Sequence, residues 1–150
     1  MFGTFDAIWR ELVAAGAVTA DEYLRMTLPQ YYNTVAELRA PLEDEEGPVH
    51  RAGLRLEHLE TRVVGCPFAA AFRRDGDVDA FARSYIPTLR SWSQSTFFGA
   101  LDPSRPEQER RRIIDDFYGT YAERVRRAPE GHGMDYVHAY MTIARVRAAI

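Results

Sequence analysis

The chain is predicted to be an α/β protein, and three features of its sequence carry that prediction. Ile113, Phe117, Tyr121 and Val125 recur every four residues, with Ile114 alongside, which marks one face of a helix. Two stretches, Gly53 to Val64 and Tyr136 to Arg145, alternate side-chain character with the two-residue period of a strand. At 150 residues and 46% apolar content the chain can bury one core, so a single domain over 1–150 is expected. Within it, 1–48 reads as a helical part and 49–150 as a strand-helix-helix-strand part.

The elements follow in order. Phe5, Ile8, Trp9, Leu12 and Val13 fall at helical spacing within 2–15, and Gly16 stands where a C-terminal cap belongs. Thr19 to Glu22 has the capping-box pattern, a hydroxyl followed three residues later by a carboxylate, so a short helix should run to about Met26. Pro29 makes Leu28 to Tyr32 an extended aromatic connector. Thr34 to Glu37 is a second capping box, opening a short helix that is expected to end before Pro41. Glu43 to Gly47 reads as an exposed acidic loop.

In the first strand, Leu54 and Leu56 share one parity and Leu59, Thr61 and Val63 the other, so a bulge or change of face is expected at His58. Cys66 to Gly76 reads as a connector. Asp77 or Asp79 should cap a long helix through Phe81, Tyr85, Leu89, Trp92 and Thr96, broken or kinked at Pro87. Gly99 to Pro106 stops it, and the helix of Ile113 to Val125 restarts the chain. In the last strand Val137, Ala139, Met141 and Ile143 share one face, with Tyr136, His138, Tyr140 and Thr142 on the other. An isolated pair of strands is marginal in water. Further strands are expected from a partner chain or from a region N-terminal to Met1.

Composition excludes several chemistries. All 19 basic residues are arginine, so no lysine is present for a Schiff base, a P-loop or a kinase-type contact. The ten glycines include no G-x-G-x-x-G, and no dinucleotide or sulfonium-cofactor loop is visible. A net charge of -3 argues against nucleic acid as a partner, and Arg110, Arg111 and Arg112 read as a solvated helix face. The single Cys66 allows no intramolecular disulfide and no thiol pair for zinc. No signal peptide and no apolar run of membrane-spanning length are visible, so a cytoplasmic protein is expected.

Catalytic signatures are absent as well. His50, His58, His132 and His138 lack metal-site spacing, and Ser91, Ser93 and Ser95 lack the context of a serine hydrolase. Asp115 with Asp116, and Glu43 to Glu46, read as solvated charge. The 8 Tyr, 8 Phe and 2 Trp are explained mostly by core packing, with an aromatic pocket wall as the functional alternative.

The order of several short motifs resembles one family. Leu12 to Glu22, followed by Leu28-Pro29-Gln30-Tyr31, resembles the lid region of the SABATH family of S-adenosylmethionine-dependent carboxyl methyltransferases. Leu56 to Glu60 resembles that family's "I-x-x-L-E" strand, Arg90 to Gly99 its "R-A-V-x-E-P-x-L … F-G" helix and Phe117 to Tyr121 its "L-F-x-R-Y" helix. Tyr136 to Arg145 is similar to its final strand. The chain departs from the pattern at Asn33-Thr34, where Pro-Ser is usual, and at Gln94-Ser95, where Glu-Pro is usual, which suggests a divergent bacterial-type member.

The resemblance implies a helical lid and the C-terminal strands of a Rossmann-like class I methyltransferase with a mainly parallel sheet, lacking the N-terminal cofactor-binding half. It implies S-adenosylmethionine as cofactor, bound outside this chain, and a small apolar or aromatic carboxylic acid as substrate. By position, Tyr31, Leu89, Trp92 and Tyr136 match substrate-pocket residues, with Phe2 near a further pocket aromatic. Their implied role is shape, with no catalytic side chain and no metal, and the chain is expected to be incomplete as an enzyme by itself. The alternative is a non-enzymatic module that binds a small molecule or forms an oligomer by pairing exposed strand edges.

Overall fold

The computed structural model describes residues 1–146. They form seven helices and two strands: α1 (Phe2–Ala14), α2 (Ala20–Arg25), α3 (Val35–Glu43), α4 (Pro48–Arg51), β1 (Leu54–Val64), α5 (Pro67–Asp75), α6 (Val78–Ala100), α7 (Glu107–Arg127) and β2 (Tyr136–Arg145). The mixed α/β class is as expected, and the two strands pair antiparallel. Among the described residues no helix is long and apolar enough to cross a membrane.

Residues group into two compact units that do not follow a division at residue 48. One is helical, Met1–Pro29 with Gly65–Met134, and the other holds Gln30–Val64 with the segment from Asp135 onward. The reason is that α1 packs on α7 and α2 on α6, so the N-terminal helices belong with the late ones.

In the helical unit each boundary has a local cause. At the end of α1 the Gly16 amide donates to Val13 and the Ala17 amide to Leu12, with Gly16 at φ +71°, a Schellman cap. The Thr19 box at α2 is fully formed. The expected connector at Cys66 to Gly76 is instead helix α5. Pro67 sits in its first turn, where no amide is needed, and left-handed Gly76 ends it. Asp77 caps α6 by accepting from the Ala80 amide at 2.8 Å. Of the break or kink expected at Pro87 there is no break, since α6 runs through it. Pro87 and Arg83 both lie on the exposed side, where water can take the carbonyl that the proline leaves unbonded, while Tyr85, Ile86 and Leu89 anchor the helix in the core. The spacing in α7 buries Ile113, Phe117, Tyr121 and Val125 as expected. Of the arginine triplet, Arg111 and Arg112 are exposed, whereas Arg110 lies 4.5 Å from the Phe98 ring centroid.

The core of this unit is aromatic. Trp9 stacks on Phe117 with ring centroids 4.3 Å apart, and Phe5 meets Phe97 edge to face at 5.3 Å. Glu22 is the one fully buried carboxylate among the described residues. It receives the Thr19 and Asp102 amides, each at 2.8 Å, and two Arg105 nitrogens at 2.6 and 2.8 Å.

The second unit is a two-stranded sheet with α3 and α4 packed on β1. Helix α3 continues past the expected stop at Pro41 to Glu43. The carbonyl that Pro41 leaves unbonded belongs to exposed Glu37, and the Asp44 amide still bonds Ala40 at 3.1 Å. The register of β1 shifts between Leu56 and His58, so the parity change is a bulge at Glu57, as expected. The bulge keeps Leu54, Leu56, Leu59 and Val63 on the face shared by Val137, Met141 and Ile143. Leu59 is the unit's one buried large apolar side chain among the described residues.

Gly53 closes the open end of the sheet at φ +80°, and a Cβ there would stand 2.6 Å from the Val146 carbonyl oxygen. Gly53→Ala is therefore expected to lose about 1–3 kcal/mol of sheet stability. Faster hydrogen exchange of the Val146 amide, which donates to Gly53 at 2.7 Å, would report it; unchanged protection would refute the strain.

Candidate functional site

A cleft in the helical unit lies between α1, the α2 segment through Leu28, and Phe97 of α6, with a volume of about 340 Å³. Three rings of the core, Phe5, Trp9 and Phe97, form its depth, because α1 and α6 bring their buried faces together there. Tyr23, Met26 and Leu28 build one wall, and exposed Phe2 and Leu24 stand at its mouth. This wall exists because the capping box starts α2 at Thr19 and the helix ends at Arg25, turning Met26 to Leu28 toward α1.

The cleft's one carboxylate is already committed. Asp6 accepts from the Tyr23 hydroxyl and from Arg10 Nε at 2.8 Å. The Tyr23 hydrogen bond, followed by that of Arg10, holds the Asp6 carboxyl below its ordinary value, and the same contact pushes the Tyr23 phenol up. Such a site recognises shape. It offers a flat apolar slot with a polar latch at one side and no nucleophile paired with a base. The Ser93 hydroxyl, the buried serine, is bonded to the Leu89 carbonyl at 2.6 Å and to the Tyr118 hydroxyl at 2.7 Å. Among the described residues no three His, Cys, Asp or Glu side chains converge to hold a metal.

The five residues singled out from the sequence lie in different places. Phe2 lines the cleft mouth. Trp92 is half-buried, reaches Phe5 at 6.0 Å and keeps its indole N–H without a hydrogen-bond partner, but it does not line the cleft. Leu89 is 0% exposed within the core, so in this structure it packs and touches no open space. Tyr31 and Tyr136 belong to the strand unit. Tyr31 is 72% exposed and its hydroxyl donates to Glu37, while Tyr136 opens β2 with its ring 5.8 Å from that of His138.

From the sequence, Phe5 and Trp9 mark only the helical spacing of α1 and Leu28 only the connector and lid motif, and none of Phe5, Trp9, Tyr23, Met26 or Leu28 is singled out as a pocket residue. The available signal was the short capped helix followed by Pro29, which forces the chain to turn within reach of α1. Compared with known proteins, the chain matches no protein-family model and no curated sequence.

Proposed function

We propose that the chain is the substrate-facing part of a SABATH-like carboxyl methyltransferase, Rossmann-like in its complete fold, whose helical unit seats a small apolar or aromatic carboxylic acid. The observation that carries this reading is the cleft of about 340 Å³ backed by Phe5, Trp9 and Phe97, a size within the range of about 300–1,000 Å³ usual for small-molecule sites. The order of the lid, strand and helix motifs supports the same reading. The apolar body of the acid enters the slot. Its carboxylate stays at the open mouth, because burying it against Phe5, Trp9 and Phe97, where no cation lines the cleft, would cost its hydration.

The cleft does not fit the methyl donor S-adenosylmethionine. Its ribose needs a free carboxylate and its amino-acid end a cluster of backbone amides, yet Asp6 is taken by Tyr23 and Arg10, and the strand-to-helix turn Gly65-Cys66-Pro67 has no glycine-rich loop. The share of these residues is therefore to bind, to orient and to exclude water.

Titration of the chain with phenylacetate and with hexanoate, followed by NMR, tests the proposal. Shifts at Phe2, the Trp9 indole, Tyr23 and Leu28 are expected to saturate at about millimolar ligand, as suits molecules of this size. Thr27→Trp, which fills the cleft from an exposed position, should weaken binding about tenfold or more. Shifts that miss these residues would overturn the reading. Calorimetry with S-adenosylmethionine alone should show no micromolar binding, and such binding would refute placing the donor outside this chain. A second reading, a non-enzymatic binding or dimerisation module, is favoured by one feature, an outer edge of β2 that carries no strand partner among the described residues.

A further inference from the structure

We propose that the buried Glu22–Arg105 pair is a positioning device for the cleft: it fixes the α2 wall, so the turn between α6 and α7 sets ligand affinity without touching the ligand. The inference rests on the reading of the cleft as a small-molecule site and adds residues that act on that site from outside it.

The first support is how little else fixes α2. It has six residues, far short of the roughly 12–15 at which an isolated helix becomes even marginal in water, so its contacts decide where it lies. Its one buried residue is Glu22. Tyr23, Met26 and Leu28 pack half-buried against the core, and Leu24 is 72% exposed. A helix at a protein surface ordinarily docks through an apolar stripe. Here a carboxylate stands at the centre of the docked face.

The second support is geometry. Glu22 Oε1 receives Arg105 Nε at 2.6 Å and the Asp102 amide at 2.8 Å, and Oε2 receives Arg105 Nη2 and the Thr19 amide, each at 2.8 Å. Each oxygen therefore ties the first turn of α2 to the segment from Asp102 to Arg105. Three residues on, Arg25 Nε donates to the Ala100 carbonyl at 3.0 Å, a second attachment at the end of α6. Glu22 and Arg25 share one face of α2, and the cleft-lining Tyr23 and Met26 share the adjacent one. Glu22, Arg25, Asp102 and Arg105 do not line the cleft themselves.

The third support is that such a pair adds direction more than stability. Replacing both members of a buried ion pair with neutral groups of similar size is often without cost. A bidentate guanidinium–carboxylate contact fixes an angle, whereas apolar contact of the same area has no preferred direction. Loss of the pair is therefore expected to leave α2 docked but its cleft-facing side chains out of register with Phe5, Trp9 and Phe97.

The test separates positioning from folding. The double variant Glu22→Gln/Arg105→Met keeps an acceptor for the Thr19 and Asp102 amides and removes both charges, so its urea midpoint should match that of the unaltered chain. Glu109, the other partner of Arg105, is 36% exposed and stays solvated. NMR titration of the double variant with phenylacetate should show binding weaker by about fivefold or more, with the shifts at Tyr23 and Leu28 reduced and those at Phe2 and Trp9 kept. Without ligand, the Tyr23 and Met26 amides, which donate to the Thr19 and Tyr23 carbonyls at 3.0 Å, should exchange about tenfold faster while α7 is unchanged. Arg25→Ala removes only the second attachment, from an exposed side chain, and should weaken binding about twofold or more. It keeps the proposal testable should the double variant fail to fold. A folded double variant that binds phenylacetate as tightly as the unaltered chain would overturn the proposal, and so would unchanged exchange at Tyr23 and Met26. Phenylacetate that misses the cleft in the unaltered chain would overturn the cleft reading itself, and with it the effect on affinity.

Discussion

Replacing Glu22 with alanine is expected to lower the unfolding free energy by about 3–5 kcal/mol, the usual cost of removing one partner from a buried ion pair. The Glu22 side chain is 1% exposed, so its charge has no water to fall back on, while Arg105 is 19% exposed and is also held by Glu109. The substitution also strips the Thr19 and Asp102 amides of their acceptor, which undoes the α2 cap and loosens the turn after α6 in one step. Urea denaturation at pH 7 measures the loss. A change below about 1 kcal/mol would mean that the pair is solvated and the anchor assignment wrong.

The same residue sets a pH dependence. Burial alone would raise the Glu22 pKa, but the Arg105 hydrogen bonds and the Asp102 and Thr19 amides outweigh it and bring the group down to about 2, from an ordinary 4.5. A depressed folded-state pKa contributes stability that is complete above the unfolded value and is lost as pH falls toward the folded one. Acid titration should therefore remove about 3 kcal/mol between roughly pH 5 and pH 2. Glu22→Gln should flatten that part of the profile, and an equally steep acid limb in this variant would assign it to other carboxylates.

Phe117→Ala is expected to cost about 3–5 kcal/mol, the range for deleting a buried phenylalanine. Phe117 is 0% exposed and its ring contacts those of Phe5, Trp9, Phe97 and Tyr118, so the cavity left behind has no flexible neighbour to fill it. Phe117→Leu, which keeps most of the volume, should lose only about 1–2 kcal/mol. Thermal or urea unfolding checks both, and equal losses would show that the site collapses around either side chain. Because Phe117 does not line the cleft, a folded Phe117→Leu should still bind phenylacetate, which separates the core from the site.

Much of this was legible in the sequence because its causes are local. The Thr19 and Thr34 boxes, the Gly16 cap, the bulge at Glu57 and the limits of β2 each follow from residues within a few positions of one another. Where the reading failed, at Pro41 and over Pro67 to Asp75, and where α6 stayed unbroken at Pro87, the deciding fact was which side of a helix met solvent or core, which spacing around a proline does not reveal. Phe2 stands at the cleft mouth, whereas Leu89 lies in the core, because its neighbours Tyr85, Ile86 and Ser93 set the buried face of α6.

The sequence by itself determined the mixed α/β class, most of the elements and several of their ends, the absence of lysine chemistry, and a β2 with no charge between Asp135 and Arg145. Only the tertiary structure decided that Glu22 meets Arg105, that Tyr23 latches Asp6 beside Trp9, and that α1 and α2 belong with α6 and α7. The physical reason is range. Caps, turns and periodicity act over a few residues, whereas a buried charge or a cleft exists only once distant segments have excluded water together.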